Sequence, residues 1–159
     1  MTRPTAHLKR VVDQIIVELK KIKTADGFGT NIVDTSITKN PSNWMGWGQL
    51  PAILVIYSNG ENDYYGNHST KVTKHIQFYV KFPDNGATEV LDQISELETD
   101  IEYLIEQNPT LISDDEPRGL VNSWLAKSDD SDKGAFSSDR VAIWRMKIEV
   151  VYHKTRDTV

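Results

Sequence analysis

The stretch VTKHIQFYVKF (residues 72–82) decides the fold. Val72, Ile76, Phe78, Val80 and Phe82 stand at alternate positions, interrupted only by Lys74, while Thr73, His75, Gln77, Tyr79 and Lys81 occupy the positions between. Successive side chains of a strand point to opposite faces, so this segment is a strand with one buried face and one open face. Upstream, LPAILVIYS (residues 50–58) is apolar almost throughout, the pattern of a strand covered on both faces or central in its sheet. The turn dipeptides Asn59-Gly60 and Gly66-Asn67 between these two strands predict a long, protruding hairpin tip over residues 59–70. The last strand is predicted from Arg140 to His153, with Ala142, Trp144, Met146, Ile148, Val150 and Tyr152 inward and Arg145, Lys147 and Glu149 outward. It spans more than about 40 Å, longer than a usual strand, and is expected to run past the core and pair at one end.

Two helices flank these strands. Leu8, Val11, Val12, Ile15, Leu19 and Ile22 recur at the spacing of one helical face, with Pro4-Thr5 at the start and Ala25-Asp26-Gly27 as the stop. The other face carries Lys9, Arg10, Lys20, Lys21 and Lys23 against Asp13 and Glu18. The second helix is predicted over Thr88 to Gln107 with the stripe Val90, Leu91, Ile94, Leu97, Ile101, Leu104 and Ile105, and Asn108-Pro109 ends it. Glu89, Asp92, Glu96, Glu98, Asp100, Glu102 and Glu106 are expected on its exposed side, with no basic residue between Ala87 and Gln107. Like charges at i, i+4 cost a few tenths of a kcal/mol per pair. The basic face of the first helix would relieve that cost, either within the subunit or across a subunit contact.

Residues 31–38 predict a further strand with Val33, Thr35 and Ile37 alternating, and Arg118 to Lys127 a weaker one. Residues 39–49 and 128–139 read as protruding loops. The order α-β-β-β-α-β-β predicts one α+β domain over residues 1–159. Its sheet is mostly antiparallel, of four to five strands, with two amphipathic helices packed on one face.

Composition narrows the chemistry. The chain has 159 residues, 38% hydrophobic and 26% charged, which is the balance of a globular protein. It has no cysteine, which excludes disulfides, thiolate zinc sites and cysteine nucleophiles. The longest apolar run, Leu50 to Tyr57, is far short of the roughly 20 residues of a membrane helix, and the N-terminal residues lack the apolar run of a secretion signal. A net charge of −5, with no basic block longer than two residues, argues against nucleic-acid recognition.

No GxxxxGK[ST], GxGxxG or GxSxG motif occurs. His7, His68, His75 and His153 show no helical zinc spacing, although His75 and His153 can meet across the sheet if their strands pair. The acidic loop beginning at Asp129 has Lys133 at its fifth position and Arg140 at its twelfth, where calcium ligands belong. The expectation is a protein without catalytic site, cofactor or metal.

Some segments suit a protein partner instead. Trp44, Met45 and Trp47 lie among glycines in residues 43–48, where the rings either plug the end of the core or anchor an interface. Tyr64 and Tyr65 sit in the hairpin, either half-exposed in a turn or carried on an arm that reaches a neighbour.

The segments LKRVVDQIIVELKKI (residues 8–22), Leu-Pro-Ala-Ile-Leu-Val (residues 50–55), LDQISELETDIEYLIEQNPTL (residues 91–111) and Ile148-Glu149-Val150-Val151-Tyr152-His153 follow one another in an order and texture that covers nearly the whole chain. In this the chain resembles the tail-terminator (tail-completion, minor tail) proteins of long-tailed bacteriophages and prophages. The resemblance implies a structural virion protein that forms a homo-oligomeric ring, commonly a hexamer. Such a ring caps the tail tube, ends its polymerisation and offers the head-joining surface. The implied partners are further copies of the chain, the major tail tube protein and a head-completion or neck protein. The implied places are the virion tail and, during assembly, the host cytoplasm. The resemblance transfers no functional residue. A neck or head-completion protein is a close alternative. A small enzyme or ligand-binding domain, with its site on the outward sheet face near His75 and His153, is the alternative of another class. On the ring reading, deleting residues 43–48 is expected to block ring or tube contacts and leave a folded domain.

Overall fold

A computed structural model describes residues 7–46, 49–65, 69–84, 89–127, 136–138 and 141–155. Its longest feature is the ladder between β3 (Ser69–Pro83) and β6 (Val141–Thr155), fifteen antiparallel pairs from Ser69↔Thr155 to Pro83↔Val141. The other edge of β3 pairs with β2 (Ala52–Tyr65), and a two-residue β1 (Ile37–Thr38) adds to β2 in parallel. On the far edge of β6 lie β4 (Ser123–Lys127) and a short β5 (Phe136–Ser138), both antiparallel to it. The main order is β1-β2-β3-β6-β4. This is the predicted α+β fold with a mostly antiparallel sheet. β5 falls inside residues 128–139, which the sequence assigned to a loop.

The alternation along β3 and β6 fixes the layers. Their inward side chains, among them Phe78, Val80, Phe82, Met146, Ile148 and Val150, are buried against α1 (His7–Leu19) and α3 (Val90–Gln107), both on this one face. Val11, Ile15 and Leu19 of α1 and Leu97, Ile101 and Leu104 of α3 complete the core. Ile22 is also buried, but beyond the end of α1. The helix stops at Leu19, earlier than predicted, and Gly27 at φ +92° closes a 3-10 turn over Thr24–Asp26.

Several predicted positions are corrected by what covers them. Leu91 and Asp100 both stand at the margins of the α3 stripe, near 90° from its centre at 100° per residue. The loop at Gly29 and Thr30 folds over Asp100, whose carboxylate accepts both backbone N–H groups at 2.9 and 2.8 Å. Asp100 is therefore buried, while Leu91 is 72% exposed. Glu18, expected among the solvated charges of α1, is likewise buried. It accepts hydrogen bonds from Lys21 (2.9 Å) and from the Asn108 amide (3.0 Å).

Asn108 is where the α3 exit is tied down. Its side chain also bridges the backbone of Ile112 in both directions, and its carbonyl accepts the indole N–H of fully buried Trp124 at 2.7 Å. Gly119 adopts φ +84°, and a Cβ there would lie 2.4 Å from the Thr110 carbonyl oxygen. That turn lets Leu120 and Val121 donate to Thr110, so β4 begins at Ser123 rather than at Arg118.

Two more predictions change. The strand expected over 31–38 is reduced to β1, because Lys23 reaches across to the Ile32 carbonyl and to Asp34 (2.8 Å) while residues 34–36 close a 3-10 turn. Val33 is consequently exposed. The protruding tip expected over 59–70 is mostly strand. β2 runs to Tyr65 and β3 resumes at Ser69, with a register shift between Tyr57 and Asn59 absorbing one residue as a bulge. Backbone pairing does not require apolar side chains once a third strand is present. The surplus length of β6 supplies that strand, since residues 149–155 pair with residues 69–75. Among the described residues no helix is long and apolar enough to cross a membrane.

Replacing Asp100 with Ala strands two amide donors and is expected to lower unfolding free energy by about 2–3 kcal/mol. Urea denaturation checks this, with Asp100→Asn expected to retain part of the loss because one carbonyl oxygen still accepts.

Candidate interaction surfaces

Residues 41–46 form a short helix, α2 (Pro41–Gly46), where the sequence predicted a loop. Asn40 caps it: its side-chain oxygen accepts the Ser42 N–H (3.0 Å), and its own N–H donates to the Thr38 hydroxyl (3.0 Å). A capping Asn followed by Pro at the first helical position is a start signal visible in the sequence. The helix lays Trp44 on the face of the sheet opposite α1 and α3.

There Trp44 packs on Ala52 and Leu54, with Leu50, Ile56 and Tyr79 around it, and is 9% exposed. Its indole N–H donates to the Ala52 carbonyl (3.1 Å), and the Lys81 ammonium sits 4.2 Å above the ring while donating to the Trp44 carbonyl (2.8 Å). Burial pushes the Lys81 ammonium below its ordinary pKa, against the stabilisation that the ring face and the carbonyl give its charge.

Trp44 is thus a plug on a satellite cluster and not a free anchor, and it is why residues 52–55 are apolar on both faces. Deleting residues 43–48 would uncover Ala52 and Leu54, which replaces the expectation of an undisturbed domain. Trp47 and the side chain of Met45 lie outside the described residues. Tyr64 and Tyr65 occupy β2 positions opposite Thr70 and Ser69, and their side chains too lie outside the description.

The two histidines do not meet. Their strands pair, but His75 faces Glu149 and His153 faces Lys71, four positions apart along β6 or about 13 Å. His75 Nε2 lies 3.5 Å from Glu149, whose other oxygen is 3.6 Å from Lys127, and His153 Nδ1 lies 2.5 Å from the Asn122 amide. Among the described residues no three His, Asp or Glu side chains group as metal ligands.

A cleft of about 620 Å³ opens between the C-terminal ends of α1 and α3, bordered by Glu18, Phe28, Tyr103 and Ile112. Of its two carboxylates, Glu18 already holds its hydrogen-bond donors and Asp26 is exposed. A second cleft of about 370 Å³ has Asp92 and Glu96 at its rim and neither a histidine nor a lysine in its lining.

Charge is distributed unevenly. Of the bases on α1 and the turn after it, Lys9 pairs with Asp13 (3.7 Å), Arg10 with Glu116, Lys21 with Glu18 and Lys23 with Asp34 (2.8 Å), while Lys39 also reaches Asp13 (2.6 Å). The Lys23 ammonium holds the Asp34 carboxyl below its usual range. No ion pair among the described residues joins α1 to α3, so the acidic face of α3 is not relieved by the first helix of its own subunit. Asp92, Glu96, Glu98, Glu102 and Glu106 remain exposed there, as does Glu89 at the N-cap. The open face of the sheet has the opposite sign. Lys71, Lys127, Arg145 and Lys147 take outward positions on β3, β4 and β6, against Glu149 on the same strands. No known protein family matches the sequence, and no curated protein sequence is significantly similar to it.

Trp44→Ala is expected to cost about 3 kcal/mol of stability, the low end for a buried tryptophan because its cluster is small. Denaturant midpoints test it. Burial of the Tyr152 phenol, with a smaller push from Tyr57, raises its pKa above the ordinary value near 10. The folded state then favours the protonated phenol, so this stabilisation is present below pH 10 and is lost as pH rises past it. Tyr152→Phe is expected to flatten the decline of melting temperature above pH 10.

Proposed function

We propose that the chain is a tail-terminator subunit, a non-catalytic structural protein that assembles into a ring, caps a phage tail tube and presents the head-joining surface. The supporting observation is the long arm built by β2, β3 and β6. Beyond Leu54 the outer edge of β2 has no partner strand among the described residues, from Val55 to Tyr65. A long open edge presents unpaired backbone donors and acceptors to another chain.

The helix and strand order that resembles this family carries the same reading. A terminator needs surfaces complementary to itself and to the tube, repeated about an axis, and no reaction chemistry. On this reading the protein resides in the virion tail and, during assembly, in the host cytoplasm. Its partners are its own copies, the major tail tube protein and a head-completion or neck protein.

Size-exclusion chromatography with light scattering, alone and with tail tube protein, is the test. A ring mass near six subunits and co-migration with tube protein are expected. A monomer at every concentration that ignores tube protein would overturn the assignment. Binding only to a head-completion protein would move it to the neck.

A further inference from the structure

We propose that neighbouring subunits join by laying the acidic face of α3 onto the open basic face of the next subunit's sheet. This inference rests on the ring reading and specifies the contact. The two surfaces lie on opposite sides of the same two-layer subunit. α3 exposes five carboxylates and no base, with Glu89 at its N-cap a sixth, while the strip formed by β3, β6 and β4 carries Lys71, Lys127, Arg145 and Lys147 against one carboxylate, Glu149, 3.6 Å from Lys127.

Apolar groups accompany the charge on both sides. Leu91 is 72% exposed on α3, and Leu125 and Ile143 are 45% and 37% exposed on the outward sheet face. Dimensions agree as well. Three adjacent strands make a strip about 10 Å wide, the diameter of one helix. The 18 residues of α3 give about 27 Å of length to lie along it.

Complementarity of this kind excludes a two-fold dimer through either surface. Helix to helix brings carboxylates together, and sheet to sheet brings ammonium and guanidinium groups together. The contact is therefore head-to-tail, the heterologous type, which gives a ring where the rotation between subunits closes. It also explains why α3 tolerates like charges at i, i+4, namely Asp92 with Glu96 and Glu98 with Glu102 and Glu106. Among the described residues no ion pair offsets them, whereas a neighbour's sheet would. Exposed charges of this sort set orientation and association rate more than affinity.

Two charge-reversed proteins test the inference: Glu96→Lys/Glu98→Lys/Glu102→Lys/Glu106→Lys on the helix and Lys71→Glu/Lys127→Glu/Lys147→Glu on the sheet. Each alone presents two faces of like sign and is expected to associate at least about tenfold more weakly than wild type. Mixed together they present complementary faces in both directions, and assembly is expected to recover. An unchanged mass for each variant, or a loss that mixing does not restore, overturns the contact while leaving the ring reading intact. A wild-type protein that never assembles overturns both. Circular dichroism verifies that the variants fold. If they do not, the salt dependence of wild-type assembly decides: a charge-driven contact weakens between 50 and 500 mM NaCl, and indifference to salt contradicts it.

Discussion

The β3–β6 ladder is the constraint on which the rest of the molecule depends. Fifteen antiparallel pairs, with an alternation broken on β3 at Lys74, give the sheet one apolar face that must be covered and one polar face that need not be. α1 and α3 cover the first because their stripes match it in length and chemistry. Trp44 covers only the corner of the second where β2 is apolar on both sides. What is left uncovered, the outward strip of β3, β6 and β4 and the solvent side of α3, is fixed by the same alternation.

Much of this was legible in the sequence, and the reason is length. α1, α3, β3 and β6 are long enough for a period of 3.6 or 2.0 to repeat several times, and their inward residues were correctly placed apart from Leu91. Positions at the margin of a stripe were not legible. Asp100 and Leu91 are distinguished only by a loop from seventy residues away, which periodicity does not see. Glu18 is buried for a similar reason, since Asn108 reaches it from the end of α3.

The short elements failed differently. α2 is too brief for a periodic signal, but its Asn40-Pro41 start was available and carried more information than the surrounding glycines. The arm was misassigned because turn-forming dipeptides were taken to end pairing, when β6 could continue it. His75 and His153 could be placed on one face from the sequence but not in register. Register is a tertiary quantity, and it separates them.

These surfaces form a pattern: carboxylates on one side of the subunit, bases on the other, and along the arm a strand edge with no partner strand among the described residues. Each is inexpensive to leave in water, and the proposed assembly would use them for repeated contacts. The central claim is that copies of the chain associate head-to-tail into a closed ring. Negative-stain electron microscopy of the wild-type protein at low ionic strength tests it most directly. The account predicts class averages of closed rings with rotational symmetry and an open centre, whereas isolated monomers or two-fold dimers alone would contradict it.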